Sequence, residues 1–257
     1  MRPQLPNPTK LTHYFFAFIM RHLFLVYQWL IAAPILLVLT IVTALLTIVG
    51  GLFDSSWWGY YPPKIWARCW CALLFVRVKV ENAEYIDKNT SYVFVANHQG
   101  AFDIFSIYGF LNHNFKWMMR KGLENIPLVG LACRAAGHIM VDKSTPARLM
   151  QTMHTAEKRL QGGTSLVIFP EGRRTSDGRL QPFKKGAFKL ALEFKLPVVP
   201  ITIDGSYRVM PRTSFSVTPG TIVLRIHKPI APGADGHDVG KVVEESYRVI
   251  ESDLTQH

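Results

Sequence analysis

The chain has 257 residues, of which 49% are hydrophobic and 18% charged, and its formal net charge is +11. Such an apolar composition excludes a disordered basic tail, and the length suffices for one large domain with its own core, or for a domain and an appendage. Excess positive charge on an apolar chain points to nucleic acid or an anionic membrane surface, so its placement along the sequence matters.

Residues 1–53 carry Arg2, Lys10 and Arg21 and no acid, a charge of +3, and the remainder carries +8. From Leu23 to Phe53 there is no charged residue, and Gln28 is the one strongly polar side chain. This is bilayer composition. It is too long for the apolar region of a cleavable signal peptide, about 7–15 residues. As one helix the run would measure about 46 Å against a hydrocarbon core of about 30 Å. Pro34 lies inside it, and proline kinks or breaks helices. The expectation is a helical hairpin or a bent, re-entrant pair within 13–53, its arms at 13–33 and 35–52, with a single span as the alternative, in a membrane-associated segment covering residues 1–70. Trp57, Trp58, Tyr60 and Tyr61 follow, as aromatic side chains do at headgroup level, and then Lys64 and Arg68. Basic residues on both flanks suit a hairpin with both ends on the cytoplasmic side. Cys69, Cys71 and Cys133 lack a second Cys/His pair at metal spacing and read as packing residues of a reducing compartment.

Beyond residue 70 the pattern changes. Val76, Val78 and Val80 alternate with Arg77 and Lys79, predicting a half-exposed strand. Short apolar runs at 92–96, 165–169 and 198–203 predict buried strands, and 221–227 predicts another. Helical periodicity falls at about 103–111, 146–161, 185–195 and 239–254, and the Pro/Gly-rich stretch 229–236 reads as a surface loop. Strands alternating with helices predict an α/β fold, a mixed sheet flanked by helices, over residues 71–257.

Two strand-end segments carry polar groups suited to chemistry. After the run ending at Ala96 come Asn97-His98-Gln99-Gly100 and then Asp103 at the expected start of a helix. On one continuous helix His98 and Asp103 would lie about 140° apart around the axis, so they meet only if the chain turns between them. A turn at Gly100 would let the carboxylate hold one imidazole nitrogen and leave the other as a general base. Spacing leaves a second possibility open, a loop histidine beside an N-capping aspartate. The chain has no Gly-x-Ser-x-Gly elbow and no sequence-evident catalytic cysteine, so the attacking group could belong to a substrate. The second segment is Phe169-Pro170-Glu171-Gly172-Arg173-Arg174-Thr175, followed by Lys184 and Lys185. Paired arginines at a strand end suit a phosphate, and a solvated basic loop is the plainer alternative. Lys121, ahead of Ile126-Pro127-Leu128-Val129-Gly130, is a further candidate.

In this order the segments resemble the 1-acylglycerol-3-phosphate acyltransferases of the glycerolipid acyltransferase family. Asn97 to Asp103 matches the His-x4-Asp motif. Lys121 to Gly130 looks like the second block, continued by Gly137-His138-Ile139-Met140-Val141-Asp142-Lys143. Phe169 to Thr175 matches the third block and Val199-Pro200-Ile201 the fourth. The likeness covers about residues 75–230. It departs at Arg173, where the family usually has Thr, and at Lys143, where Arg is common. The resemblance implies that His98, held by Asp103, deprotonates the free sn-2 hydroxyl of lysophosphatidic acid, which attacks an acyl thioester directly and gives phosphatidic acid without an acyl-enzyme. It implies that Glu171, Gly172, Arg173 and Arg174 bind the glycerol phosphate with help from Lys121. The donor would be acyl-CoA or acyl-acyl carrier protein, with no cofactor and no metal. The enzyme would sit in a membrane with its catalytic domain on the cytoplasmic face. A related acyltransferase acting on another lysophospholipid or a lyso-aminolipid is the nearest alternative, and a non-catalytic lipid-binding protein at the membrane surface is another. A nucleic-acid partner is not expected, because Lys and Arg are dispersed and no recognition motif appears.

Overall fold

A computed structural model describes residues 8–142, 144–160, 163–231 and 238–255. Lys143 and residues 232–236 of the expected surface loop lie outside the described residues.

The apolar segment is one helix. Helix α1 (Pro8–Tyr27) passes through a π turn at Gln28–Ala32 into α2 (Ala33–Gly51). This corrects the expected hairpin. Pro34 lacks an N–H and its ring crowds the carbonyl one turn back, yet the wider π turn immediately before it absorbs both defects and the backbone stays helical. The apolar stretch Phe15–Gly51 has 37 residues and is long and apolar enough to cross a membrane.

From Phe15 onward one stripe of this helix is buried and much of the remaining surface is exposed. Ala32 and Leu36 join the main core, while Leu30 is 73% and Leu52 82% exposed. Gln28, the one strongly polar residue of the run, is buried. Its amide donates to Phe215 O at 3.2 Å, and its oxygen accepts from Val217 N–H at 2.9 Å. Tyr27 Oη donates to Leu73 O, and Trp66 Nε1 donates to Thr40 Oγ1. These bonds dock the helix on the α/β body. Helix α3 (Tyr61–Leu73) spans the boundary expected at residue 70 and packs on that body through Ala67 and Cys71. Of the aromatic cluster, Trp57 and Tyr61 are exposed, whereas Tyr60 is buried in the core.

The strands are β1 (Val76–Glu81), β2 (Val93–Ala96), β3 (Phe115–Arg120), β4 (Ile139–Val141), β5 (Ser165–Ile168), β6 (Val198–Asp204) and β7 (Gly220–Ile226). They form one mixed sheet in the order β1-β7-β6-β2-β5-β3-β4, antiparallel only between β6 and β7. Alternate side chains feed two cores, as the two-residue period of a strand requires. Phe94 and Ala96 of β2 join α1–α2, α3 and α4 (Phe102–Phe110) on one face. Val93 and Val95 pack with α6 (Pro146–Arg159), α7 (Gly186–Glu193) and α9 (Val239–Ser252) on the other. The remaining helices are α5 (Val129–Ala135) and the short α8 (Ser206–Val209).

Strands β3 and β4 and helices α3 and α5 were not foreseen from the pattern. Lys116 explains β3, because a charged residue breaks the apolar run that marks a buried strand. Here Lys116 is buried and donates to Ser55 O at 3.0 Å and Ala136 O at 2.8 Å. Burial, with the charge of Arg159 nearby, brings its pKa down to about 8.

Candidate active site

Strands β2 and β5 are parallel neighbours, so the loops leaving their C-terminal ends lie side by side. In open α/β sheets that edge is where ligands bind. One loop carries His98 and the other Glu171 to Arg174. Asn97 starts the first loop by extending the ladder with its side chain: its amide donates to Ile203 O at 2.9 Å and its oxygen accepts from Ile203 N–H at 2.7 Å. This releases the backbone to turn while strand order is kept. Gly100 then passes so close to α8 that a Cβ there would stand 2.4 Å from Ser206 O.

The turn brings Asp103, at the start of α4, under the imidazole. One carboxylate oxygen, Oδ2, accepts from His98 Nδ1 at 2.8 Å, Gln99 N–H at 2.7 Å and Gly100 N–H at 2.9 Å. Asp103 is fully buried, and its Oδ1 has no hydrogen-bond partner among the described residues. Both backbone donors fix the carboxylate, and the carboxylate fixes the ring. With Nδ1 taken, Nε2 is the nitrogen left to accept a proton, and it has no hydrogen-bond partner among the described residues. The ring also stacks on Phe169, centroids 3.9 Å apart and planes 6° apart, and Phe169 stacks in turn on Trp117.

His98, Gly172 and Arg173 all line a cavity of about 460 Å³. Its walls are largely apolar and come from α2, α4, β3 and α5, including Ala44, Ile104, Trp117, Met118 and Ala132. On the helix wall it extends from Thr40 to Thr47, about 10 Å of axial rise. That direction is set by docking: Gln28 meets the loop before β7 at the catalytic edge, while Gly51 abuts Ala135 near the opposite edge. Tyr108 and His138 form a hydrogen-bonded pair in the wall. Burial drives the His138 pKa down to about 3, so its imidazole is neutral.

The other expected site residues divide. Arg173 is exposed and Arg174 half-buried, and neither has an acidic partner among the described residues. Gly172 adopts φ +76°, and a Cβ there would stand 2.5 Å from Lys184 Nζ, so glycine lets that ammonium approach the loop. Glu171 is buried, and its carboxylate accepts from His98 N–H at 2.6 Å and Gln181 N–H at 3.0 Å. Burial raises its pKa to about 8 against the opposing pull of those two amides. Lys121 pairs with Asp142 at 2.6 Å, and the hydrogen bond from its ammonium holds the Asp142 carboxyl below the usual range. Arg120, not Lys121, lines the cavity. Arg120, Phe169, Trp117 and the α2 wall received no role from the sequence, since nothing local marks which distant elements close over a strand end.

The model of the acyltransferase family matches residues 77–204, which hold both loops and the parallel strands that carry them. The chain belongs to the acyltransferase family. It is 33% identical over 173 residues to the chloroplastic 1-acyl-sn-glycerol-3-phosphate acyltransferase BAT2 of Brassica napus, a match covering 66% of this chain and 50% of that protein. Against the 1-acyl-sn-glycerol-3-phosphate acyltransferase of Saccharomyces cerevisiae it is 30% identical over 198 residues, covering 74% and 63%. Its fold matches the crystal structure of the 1-acyl-sn-glycerophosphate acyltransferase PlsC of Thermotoga maritima with a TM-score of 0.69 and 26% identity, covering 85% of this chain and 93% of that one. The chain spans about half the length of the plant relatives in the acyltransferase family that it matches.

Proposed function

We propose that the chain transfers a fatty acyl group from an acyl thioester to the sn-2 hydroxyl of 1-acylglycerol-3-phosphate, giving phosphatidic acid. The observation that carries this reading is the position of His98, oriented by Asp103 where an apolar cavity meets a loop with two arginines that have no acidic partner among the described residues. The acyl chain lies in the cavity, and the phosphate is bound at Arg173 and Arg174, whose guanidinium groups offer paired donors to its oxygens. Lys184, beside Gly172, adds charge there.

His98 Nε2 takes the proton of the acceptor hydroxyl as its oxygen attacks the thioester carbonyl carbon. Asp103 stabilises the imidazolium that forms. The tetrahedral adduct collapses, the carbon–sulfur bond breaks, and the proton on Nε2 passes to the departing thiolate. The donor is acyl-CoA or acyl-acyl carrier protein, and no protein nucleophile, metal or cofactor enters this sequence of steps. The helix Phe15–Gly51, with its bare apolar surface, holds the protein in the bilayer where acceptor and product reside, with the catalytic edge at the cytoplasmic side.

Full-length protein in mixed micelles, given lysophosphatidic acid and each donor class, should release free thiol and form phosphatidic acid. His98→Ala should lower the rate by about 10²–10⁴-fold, the usual contribution of a general base, with membrane association unchanged. Undiminished turnover in that variant would remove the base from the mechanism.

A further inference from the structure

The loop that carries the arginines also grips His98, and it does so at three places. Glu171 accepts the His98 N–H at 2.6 Å. Thr175 N–H donates to His98 O at 3.0 Å. Phe169 lies flat against the imidazole. Asp103, in contrast, fixes only the ring nitrogen and the two following amides.

A phosphate ligand is a poor description of Glu171. The residue is 3% exposed, and both of its carboxyl oxygens are already occupied by backbone N–H groups within the protein. Burying a carboxylate is costly unless its oxygens are satisfied. Here that cost is met at one spot, the peptide N–H of the histidine, with Gln181 N–H as the anchor on the far side.

We infer that Glu171 is a positioning residue that joins His98 to the arginine loop, so that the base and the bound acceptor phosphate keep a set separation. This rests on the acyl-transfer reading above. The acceptor hydroxyl lies a few bonds from its phosphate, and the phosphate is located by Arg173 and Arg174, the second and third residues after Glu171. A loop that moved independently of His98 would carry the hydroxyl away from Nε2. Misplacement by about 1 Å can cost about 10²-fold in rate.

The test compares full-length wild type, Glu171→Gln and Arg174→Ala in mixed micelles, with saturation curves for lysophosphatidic acid and for acyl-CoA. In Glu171→Gln the one carbonyl oxygen still accepts from His98 N–H, but the new NH2 opposes Gln181 N–H and loosens the anchor. Its kcat should fall by about 10–10²-fold while KM for both substrates stays within about threefold. Arg174→Ala should show the converse, a raised acceptor KM with kcat nearly kept. If Glu171→Gln does not fold, as judged by thermal unfolding, Gln181→Pro removes the anchoring N–H while leaving Glu171, His98 and both arginines, and the same kcat loss at constant KM is expected. A raised acceptor KM with kcat retained, in whichever variant folds, overturns the positioning role. Wild type that transfers no acyl group to lysophosphatidic acid overturns the proposed function instead, so the two failures are told apart.

Discussion

Replacing Asp103 by Asn isolates the charge of the buried carboxylate from its geometry. All three hydrogen bonds converge on Oδ2, while Oδ1 has no partner among the described residues. An asparagine can therefore place its amide oxygen at the Oδ2 position, keep every donor satisfied, and put its NH2 where the unpartnered Oδ1 stands. The orientation of His98 survives, and what disappears is the attraction between carboxylate and imidazolium in the transition state. For charges about 4 Å apart at an effective dielectric of about 20, that attraction is about 4 kcal/mol. At about 1.36 kcal/mol per tenfold, kcat should fall by about 10³-fold. Thiol release from acyl-CoA, followed with and without lysophosphatidic acid, gives kcat and both KM values, with KM expected to hold within about threefold because no substrate contact is lost. A kcat loss below about tenfold at unchanged KM would show that Asp103 serves only to orient the ring, and the electrostatic argument would fall.

Two further outcomes concern stability. Gln28→Leu leaves the buried Val217 N–H without its acceptor, at about 2 kcal/mol, or about 4–8 °C in Tm for a chain of this size; an unchanged Tm in detergent would mean that Gln28 does not dock the helix. Lys116, with its folded pKa near 8 against 10.5 for the exposed group, makes wild-type stability rise between those two pH values, since only the unfolded chain binds the proton there. The gain should approach about 3 kcal/mol. Lys116→Met lacks that contribution, so its stability relative to wild type should worsen as pH rises from 8 to 10.5. A gap independent of pH would contradict the assignment of Lys116 as a buried, depressed amine.

Local chemistry explains why much of the framework was readable in advance. Val93 to Ala96, Ser165 to Ile168 and Val198 to Asp204 are fully or nearly apolar because both faces of these central strands are covered. Spacing allowed His98 to meet Asp103 through a turn at Gly100 but equally allowed a loop histidine beside an N-capping aspartate, and the fold decides for the contact. Strand β3 has no apolar signature in the sequence because Lys116 is buried by satisfying two distant carbonyls, which depends on Ser55 and Ala136 rather than on its neighbours in sequence.

The sequence by itself determined the α/β alternation, the two strand-end loops and the apolar N-terminal run, since each follows from residues within a few positions of one another. Tertiary structure alone decided that the run is a single helix, because the π turn before Pro34 and the Gln28 contacts with residues 215–217 combine a local distortion with a partner nearly two hundred positions away. It likewise decided which donors reach Glu171. The sequence places that residue beside two arginines, but only the pairing of β2 with β5 brings its carboxylate onto the amide of His98, and a carboxylate's role depends on which donors reach it.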